Sequence, residues 1–569
     1  MKELSARYLP KNKILYWLIV FGLIFLKLWL IESQPLFAIG RSPHDDRLFL
    51  TLASYLLKGE WLGPYDSLTL VKGPFFPLWI AITFSLKIPL LLSGQILYAV
   101  SCLVLTHSLK PLFKKDVSII LFFAILLFNP ASYDASLTRV SREAIYPALS
   151  VLVTACAFGV FFSDGDDRKK TWPWKIGLGI TFASFWLTRE EGVWVIPFLF
   201  FMVCCKAMLA YQSRNFRKVW FSFKPWLTSF MISSMLIISV NVLNYVHYGV
   251  FAKTEMETHS FKAAYGALSR VKPAKPIRYV PVTKETRRRI YEVSPAFKEL
   301  ARYLEGRQGR IWSDLALGQK TPENKREILG GWFTWAFRSA VADRGYYDGK
   351  YPEDYYLRLA KEVNEACENG KLDCYPERDT VFPIWHWYYG KYVAQGIIER
   401  LSALARFAGI SADPIQSTGT TDELALFLEL TNEEIVDPNL EPADTYLPNQ
   451  KPWDTYKLTI LKWNLHLYQF ILPAFVVYTV IAYLFMLITW LMKRGDSRLL
   501  ILLSSLIVLF FTRLLLLSLL NAISWQIPVL AYLHPLHAIL LMFIGLKLTL
   551  DFETVLVNRK LSRLKKGNS

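Results

Sequence analysis

The chain has 569 residues, 53% of them hydrophobic and 15% aromatic, with a formal net charge of +18. That apolar content at this length excludes an ordinary soluble enzyme, and several apolar runs approach the roughly 20 residues that cross a bilayer core. The charge does not indicate a nucleic-acid partner, because Lys and Arg collect in a few short loops between apolar runs, the distribution that orients a protein in a bilayer. The pattern predicts an all-α polytopic membrane protein with one polar, helical insert.

The head carries Lys2, Arg7, Lys11 and Lys13 and is expected in the cytoplasm. The first apolar run, 14–31, is long and lacks a small-residue cleavage site, so it is expected to stay as a signal-anchor helix. It leads into an outer loop, 33–73, that opens an amphipathic helix at Asp45-Asp46 and closes on Lys72-Gly73-Pro74. The apolar stretch 74–107 is broken at Lys87-Ile88-Pro89. Two full crossings there would place Lys110, Lys114 and Lys115 outside, so 74–86 is expected to be half-inserted and 91–107 to be the second crossing. Crossings follow at 117–128, 145–162, 176–187, 193–205 and 226–245, with an outer loop at 129–144. Three more, at 467–492, 499–520 and 527–548, bring the total to about ten with both termini cytoplasmic, every basic loop then falling on one side.

The expected domains are therefore an N-terminal membrane module (1–248), a mainly helical extracytoplasmic domain (249–458) and C-terminal membrane helices with a basic tail (459–569). Apolar periodicity at 295–304, 354–367 and 391–407 marks amphipathic helices in the middle domain. Cys102, Cys156, Cys204 and Cys205 lie in apolar runs and read as small core hydrophobes. Cys367 and Cys374 lie in the polar insert, where a short disulfide and two free thiols both stay open.

Acidic residues at a membrane surface need a partner or a task. Asp45 and Asp46 open a helix, where carboxylates are favoured, so helix capping is one reading and a general base for an incoming hydroxyl or amine is the other. The outer segment from Thr138 to Glu143 carries Arg139, Arg142 and Glu143, and the segment 188–192 carries Arg189, Glu190 and Glu191. Both suit either a headgroup-level charge cluster or a polar cavity. Phosphate-loop and H-E-x-x-H motifs are absent and the histidines are scattered, which argues against a nucleotide loop and a His-based zinc site. A carboxylate-bound Mg²⁺ or Mn²⁺ at Asp45, Asp46 and Glu143 stays open.

DDRLFLTLASYLLKGEW followed by KGPFFPLW resembles the start of the GT-C membrane glycosyltransferases, in the branch that uses lipid-linked sugars and includes the aminoarabinose–lipid A transferase and the protein mannosyltransferases. Asp45-Asp46 stand at the family's acidic pair, Phe49 and Ala53 at its aromatic and small positions, and Lys72-Gly73-Pro74 at its Lys-Pro-Pro site, with Gly73 in place of the first Pro. The resemblance implies a polyprenyl-phosphate-sugar donor and an extracytoplasmic glycan, lipid or protein acceptor. It implies Asp45, with Asp46, as catalytic acids and Lys72, Arg139, Arg142 and Arg189 as donor-phosphate ligands. Glu143, Glu190 and Glu191 would support the acceptor or a metal. It also implies a bacterial inner membrane with the active site facing outward. Asn244 and Tyr248-Gly249 resemble the element that ends the family's crossing here. Tyr532 to Pro535 resembles a further element with Ala531 at its Arg, leaving His534 or Arg513 as substitutes. A lipid-saccharide transporter and a non-catalytic assembly protein are the alternatives. The former would be expected to show repeats or broken midplane helices, and the chain has no internal repeat.

Overall fold

The computed structural model describes residues 13–163, 168–211, 216–316, 321–345, 348–435, 452–492, 497–527 and 532–566. The basic head ahead of Lys13, Ala531 and the basic side chains of 168–170, 214–218, 493–494 and the tail from 559 lie outside what is described.

The N-terminal helices are α1 (Lys13–Ile31), α2 (Asp46–Leu57), α3 (Phe75–Ser85), α4 (Leu90–Leu109), α5 (Asp116–Leu127), α6 (Tyr146–Phe162), α7 (Arg168–Thr188), α8 (Ile196–Tyr211) and α9 (Phe216–Tyr248). The middle region holds α10 (His259–Arg270), α11 (Lys284–Val293), α12 (Pro295–Glu299), α13 (Ala301–Glu305), α14 (Arg307–Asp314), α15 (Gly330–Ala342), α16 (Lys350–Glu368), α17 (Tyr389–Arg406) and α18 (Thr421–Thr431). The chain closes with α19 (Pro452–Leu491), α20 (Ser497–Ile523) and α21 (His534–Lys566). Among the described residues β-structure is limited to isolated bridges, so the protein is an all-α polytopic membrane protein.

Among the described residues six helices are long and apolar enough to cross a bilayer, and α5, bent by 44° into the segment Pro130–Thr138, makes a seventh if the bent pair is one span. The remaining expected crossings are α6, α7 and α21. α6 has only 17 residues, yet nearly every one is buried. Its Ala, Ser, Thr, Cys and Gly positions let neighbouring backbones approach closely. A Cβ at Gly159 would stand 2.1 Å from the Trp174 ring of α7. The expected half-inserted segment is the 11-residue α3, ended by Lys87 in the left-handed region at φ 56°.

α19 begins at Pro452, well before the apolar run at 467. The extension is held because its polar side chains find partners in outer loops. Lys457 Nζ lies 3.0 Å from Glu32, and Asn464 Nδ2 donates to the Phe128 carbonyl at 2.8 Å.

Within 249–458 the packing divides. Residues from Phe261 to Leu372 form their own core around α10, α15 and α16, and Cys367 is disulfide-bonded to Cys374. Leu404, Phe407, Ile410, Leu424, Phe427 and Leu430 instead join the core of the membrane helices. α17 lies along α20, with Gly396 beside Ser518, and the Phe407 ring stacks on His537 of α21 at 4.6 Å. Arg278 and Tyr279 satisfy the last carbonyls of α20, donating to Asn521 and Ala522 at 2.9–3.3 Å, groups that a helix end leaves without partners.

One buried ion pair fastens the insert to the first outer loop. Glu255 Oε2 accepts from Arg338 Nη2 at 2.7 Å and from the Tyr65 hydroxyl at 3.1 Å, and its Oε1 accepts from the Tyr356 hydroxyl at 2.8 Å. Arg338 Nη2 also donates to the Thr69 carbonyl at 2.6 Å. Arg338→Ala is expected to cost about 3–5 kcal/mol by leaving a buried carboxylate without its cation, and Glu255→Gln with Arg338→Met to cost less. Unfolding midpoints of the detergent-purified chain measure both, and a smaller loss for the single variant would refute the clamp.

Candidate functional site

The loops expected to share one side do meet at one end of the bundle. They are the loop that leaves α1, the turn before α3, the segment between α5 and α6 and the turn after α7. Ionic contacts between them define the site.

Asp45 precedes α2, but its side chain caps no amide of that helix. It faces Lys72, with Nζ 3.0 Å from Oδ1, while Arg139 Nη2 stands 4.0 Å from Oδ2. Burial works to raise the Asp45 pKa, but Lys72 and Arg139 outweigh it and hold it below the ordinary carboxylate value. Asp46 is wholly buried. Arg139 grips it bidentately, Nε donating to Oδ1 at 2.7 Å and Nη2 to Oδ2 at 2.5 Å. Burial pushes the Asp46 carboxyl up to about 6 against that pull.

Gly73 has a local reason for replacing a proline. A Cβ there would lie 2.0 Å from the Leu187 carbonyl oxygen at the end of α7, and the Gly73 amide faces Glu190 Oε1 at 3.4 Å. Proline has a Cβ and no amide hydrogen, so it would lose both features.

Behind this pair lies a second, deeper network. Arg142 Nη1 donates to both Glu190 oxygens at 2.7 and 2.8 Å. Arg189 pairs with Glu143 and, at 2.8 Å, with Glu191, and Arg513 of α20 reaches Glu191 at 3.6 Å. The Arg189 guanidinium sits over the Tyr532 ring at 4.5 Å. Burial tends to raise Glu143, but Arg189 and Arg142 bring it down to about 2; Glu190 and Glu191 are lowered by neighbouring arginines in the same way.

Side-chain exposure falls through the cluster. Asp45 is 47% exposed, Glu190 31%, Arg139 29% and Lys72 13%, against 3% for Arg189 and 0% for Arg513 and Asp46. Of the cations, Arg139 and Lys72 are the ones a ligand from outside meets first, beside Asp45. Asp45 and Asp46 share Arg139, Asp45 also facing Lys72, while Glu143 turns to Arg189. Among the described residues no group of three or more His, Cys, Asp or Glu is placed to hold a metal ion.

Several contributors escape sequence reasoning. Trp335 of α15 lies under the Lys72 ammonium, 5.3 Å from ring centre to Nζ, and His44 packs between Trp335 and Trp312 at 4.9 and 5.4 Å. Lys27 of α1 is fully buried and donates to Ser132 Oγ at 2.6 Å over the Tyr133 ring. Its charge inside an apolar run was a readable signal. His534 Nε2 lies 2.8 Å from Asp134 Oδ2, so it serves that carboxylate. Asn244 bonds Trp61 and the Ala252 carbonyl, which makes it a turn support.

No protein-family model and no curated protein matches the chain. Two solved structures do, both of ArnT from Cupriavidus metallidurans. The apo structure is 10% identical with a TM-score of 0.31, covering 92% of this chain and 78% of that one. The structure bound to undecaprenyl phosphate is 11% identical with a TM-score of 0.29, covering 92% and 77%. At those TM-scores the likeness carries no weight for this chain.

The depressed carboxylates fix an acid dependence. Their folded pKa lies below the unfolded value, so their contribution is full above about pH 4.5 and is lost as pH falls toward 2. The unfolding midpoint is expected to drop through that window, less steeply in Glu143→Gln. An unchanged slope in the variant would show that Glu143 is not the group responsible.

Proposed function

We propose that the protein is an integral membrane glycosyltransferase of GT-C type, transferring a sugar from a polyprenyl phosphate to an extracytoplasmic glycan, lipid or protein. The observation that carries this reading is the half-exposed Asp45 carboxylate, with Lys72 at 3.0 Å and Arg139 at 4.0 Å, on segments whose sequence resembles that family's catalytic motifs. The arrangement joins a base to phosphate-binding cations, the pair of functions that displacement of a lipid phosphate requires. An outward-facing site in a bacterial inner membrane, with both termini cytoplasmic, fits the basic loops.

In this mechanism the donor phosphate takes Lys72 and Arg139. Asp45 loses its cation, and its basicity rises as the attractive charge is shared with phosphate. Asp45 then accepts the proton of the acceptor hydroxyl or amine as that oxygen or nitrogen attacks the anomeric carbon. The C–O bond to the lipid phosphate breaks, and its electron pair leaves on an oxygen stabilised by Lys72 and Arg139. Direct displacement inverts the anomeric centre. Asp46 orients Arg139, while Arg142, Arg189, Glu143, Glu190 and Glu191 hold the loops in register. No step of this mechanism is assigned to a metal.

Asp45→Asn is expected to lower sugar transfer in isolated membranes by about 10²–10⁴-fold with expression intact. Transfer at the parental rate would refute the base assignment. Lys72→Ala is expected to raise the KM for the lipid donor by about tenfold or more, the scale of one lost charge-assisted contact; a change confined to the acceptor KM would count against the phosphate role.

A further inference from the structure

A cleft of about 600 Å³ opens between the first outer loop and the insert, within the 300–1,000 Å³ typical of ligand sites. His44 and Asp66 come from the outer loop, Tyr303, Gln308 and Trp312 from the region of α13 and α14, and Asp343 from the end of α15. Among the described residues that line it, none is Lys or Arg. It therefore disfavours phosphate and carboxylate, in contrast to the neighbouring centre, where Lys72 and Arg139 stand. Its aromatic lining is the half-buried Tyr303 ring, whose hydroxyl accepts from Trp312 Nε1 at 3.3 Å, and it adds amide and carboxylate groups suited to hydroxyls.

Ile311 and Leu315, 44% and 49% exposed, line the same cleft with apolar surface. The Tyr303 ring and these apolar side chains beside hydroxyl-binding groups, with no cation among the described lining residues, match a pyranose, which has one apolar face and a polar rim. The His44 Nδ1 atom is buried without a hydrogen-bond partner, and the next residue in the chain is Asp45.

We propose that this cleft binds uncharged sugar units of a glycan acceptor and delivers a hydroxyl past His44 to Asp45. The inference rests on the glycosyltransferase reading for its purpose, but the binding can be measured without turnover. The probe is an array of neutral oligosaccharides printed beside phosphorylated and uronic-acid analogues, exposed to the detergent-purified full chain. Retention of neutral glycans is expected, falling roughly tenfold or more in Gln308→Ala and Asp343→Ala. The unfolding midpoint and the binding of undecaprenyl phosphate should be unchanged in both variants.

No retention of neutral glycans, preference for the anionic analogues, or equal retention by the variants overturns the proposal. Weaker undecaprenyl phosphate binding in the variants also overturns it, because the cleft would then serve the donor. Asp45→Asn separates the two ideas: it should keep glycan retention and lose transfer. Retention with parental transfer would sink the transferase mechanism and leave the cleft standing.

Discussion

The structure depends on a charge-balanced ionic layer at one end of the helical bundle. Lys72, Arg139, Arg142, Arg189 and Arg513 face Asp45, Asp46, Glu143, Glu190 and Glu191. Isolated charges at this depth would be costly, and their desolvation is offset only when every one is paired. Because the partners lie on different loops, pairing them also fixes how the ends of α1, α3, α6, α7 and α20 sit together. Most of the layer is spent on that task. Asp45, Lys72, Arg139 and Glu190 form its exposed edge.

The balance has a chemical consequence. Each of these cations already faces a carboxylate, so an anion arriving from outside would have to compete with one. The Asp45–Lys72 pair, with the more exposed carboxylate, has the least burial to oppose such an exchange. In the mechanism we propose, loss of that pair seats the donor phosphate and frees the base. Lys72 is held from the other side by Trp335, so the insert contributes to the site directly. The Glu255–Arg338 pair keeps that ring in place by tying α15 to the loop residues Tyr65 and Thr69.

Much of this was legible beforehand, for local reasons. The run 14–31, the helix opening at Asp46 and the periodicity of 354–367 correspond to α1, α2 and α16. Each is set by apolar spacing within a few turns. The segment 391–407 was legible as a helix, α17, but its surroundings were not. Periodicity marks an apolar face without saying what it meets, and this face meets α20 and α21 rather than the insert's core. The capping reading of Asp45 failed for a similar reason, since Lys72 offers its carboxylate a stronger partner than a helix amide.

Chain chemistry alone settles the membrane class, most of the apolar helices and the loops that carry charge, because hydropathy and loop charge act through local transfer free energies; the helix expected at 295–304 is instead two short helices, α12 and α13, parted at Leu300. Chain chemistry does not settle which charge meets which. Arg139 takes Asp46, Arg142 takes Glu190 and Arg189 takes Glu143, across separations of 46 to 93 residues. Helix packing brings those loops together, and burial then decides that Asp46 is consumed while Asp45 stays open. The wall of Trp312, His44 and Trp335 is likewise a product of docking the insert onto the first outer loop. Only the folded chain gives those rings a common neighbour.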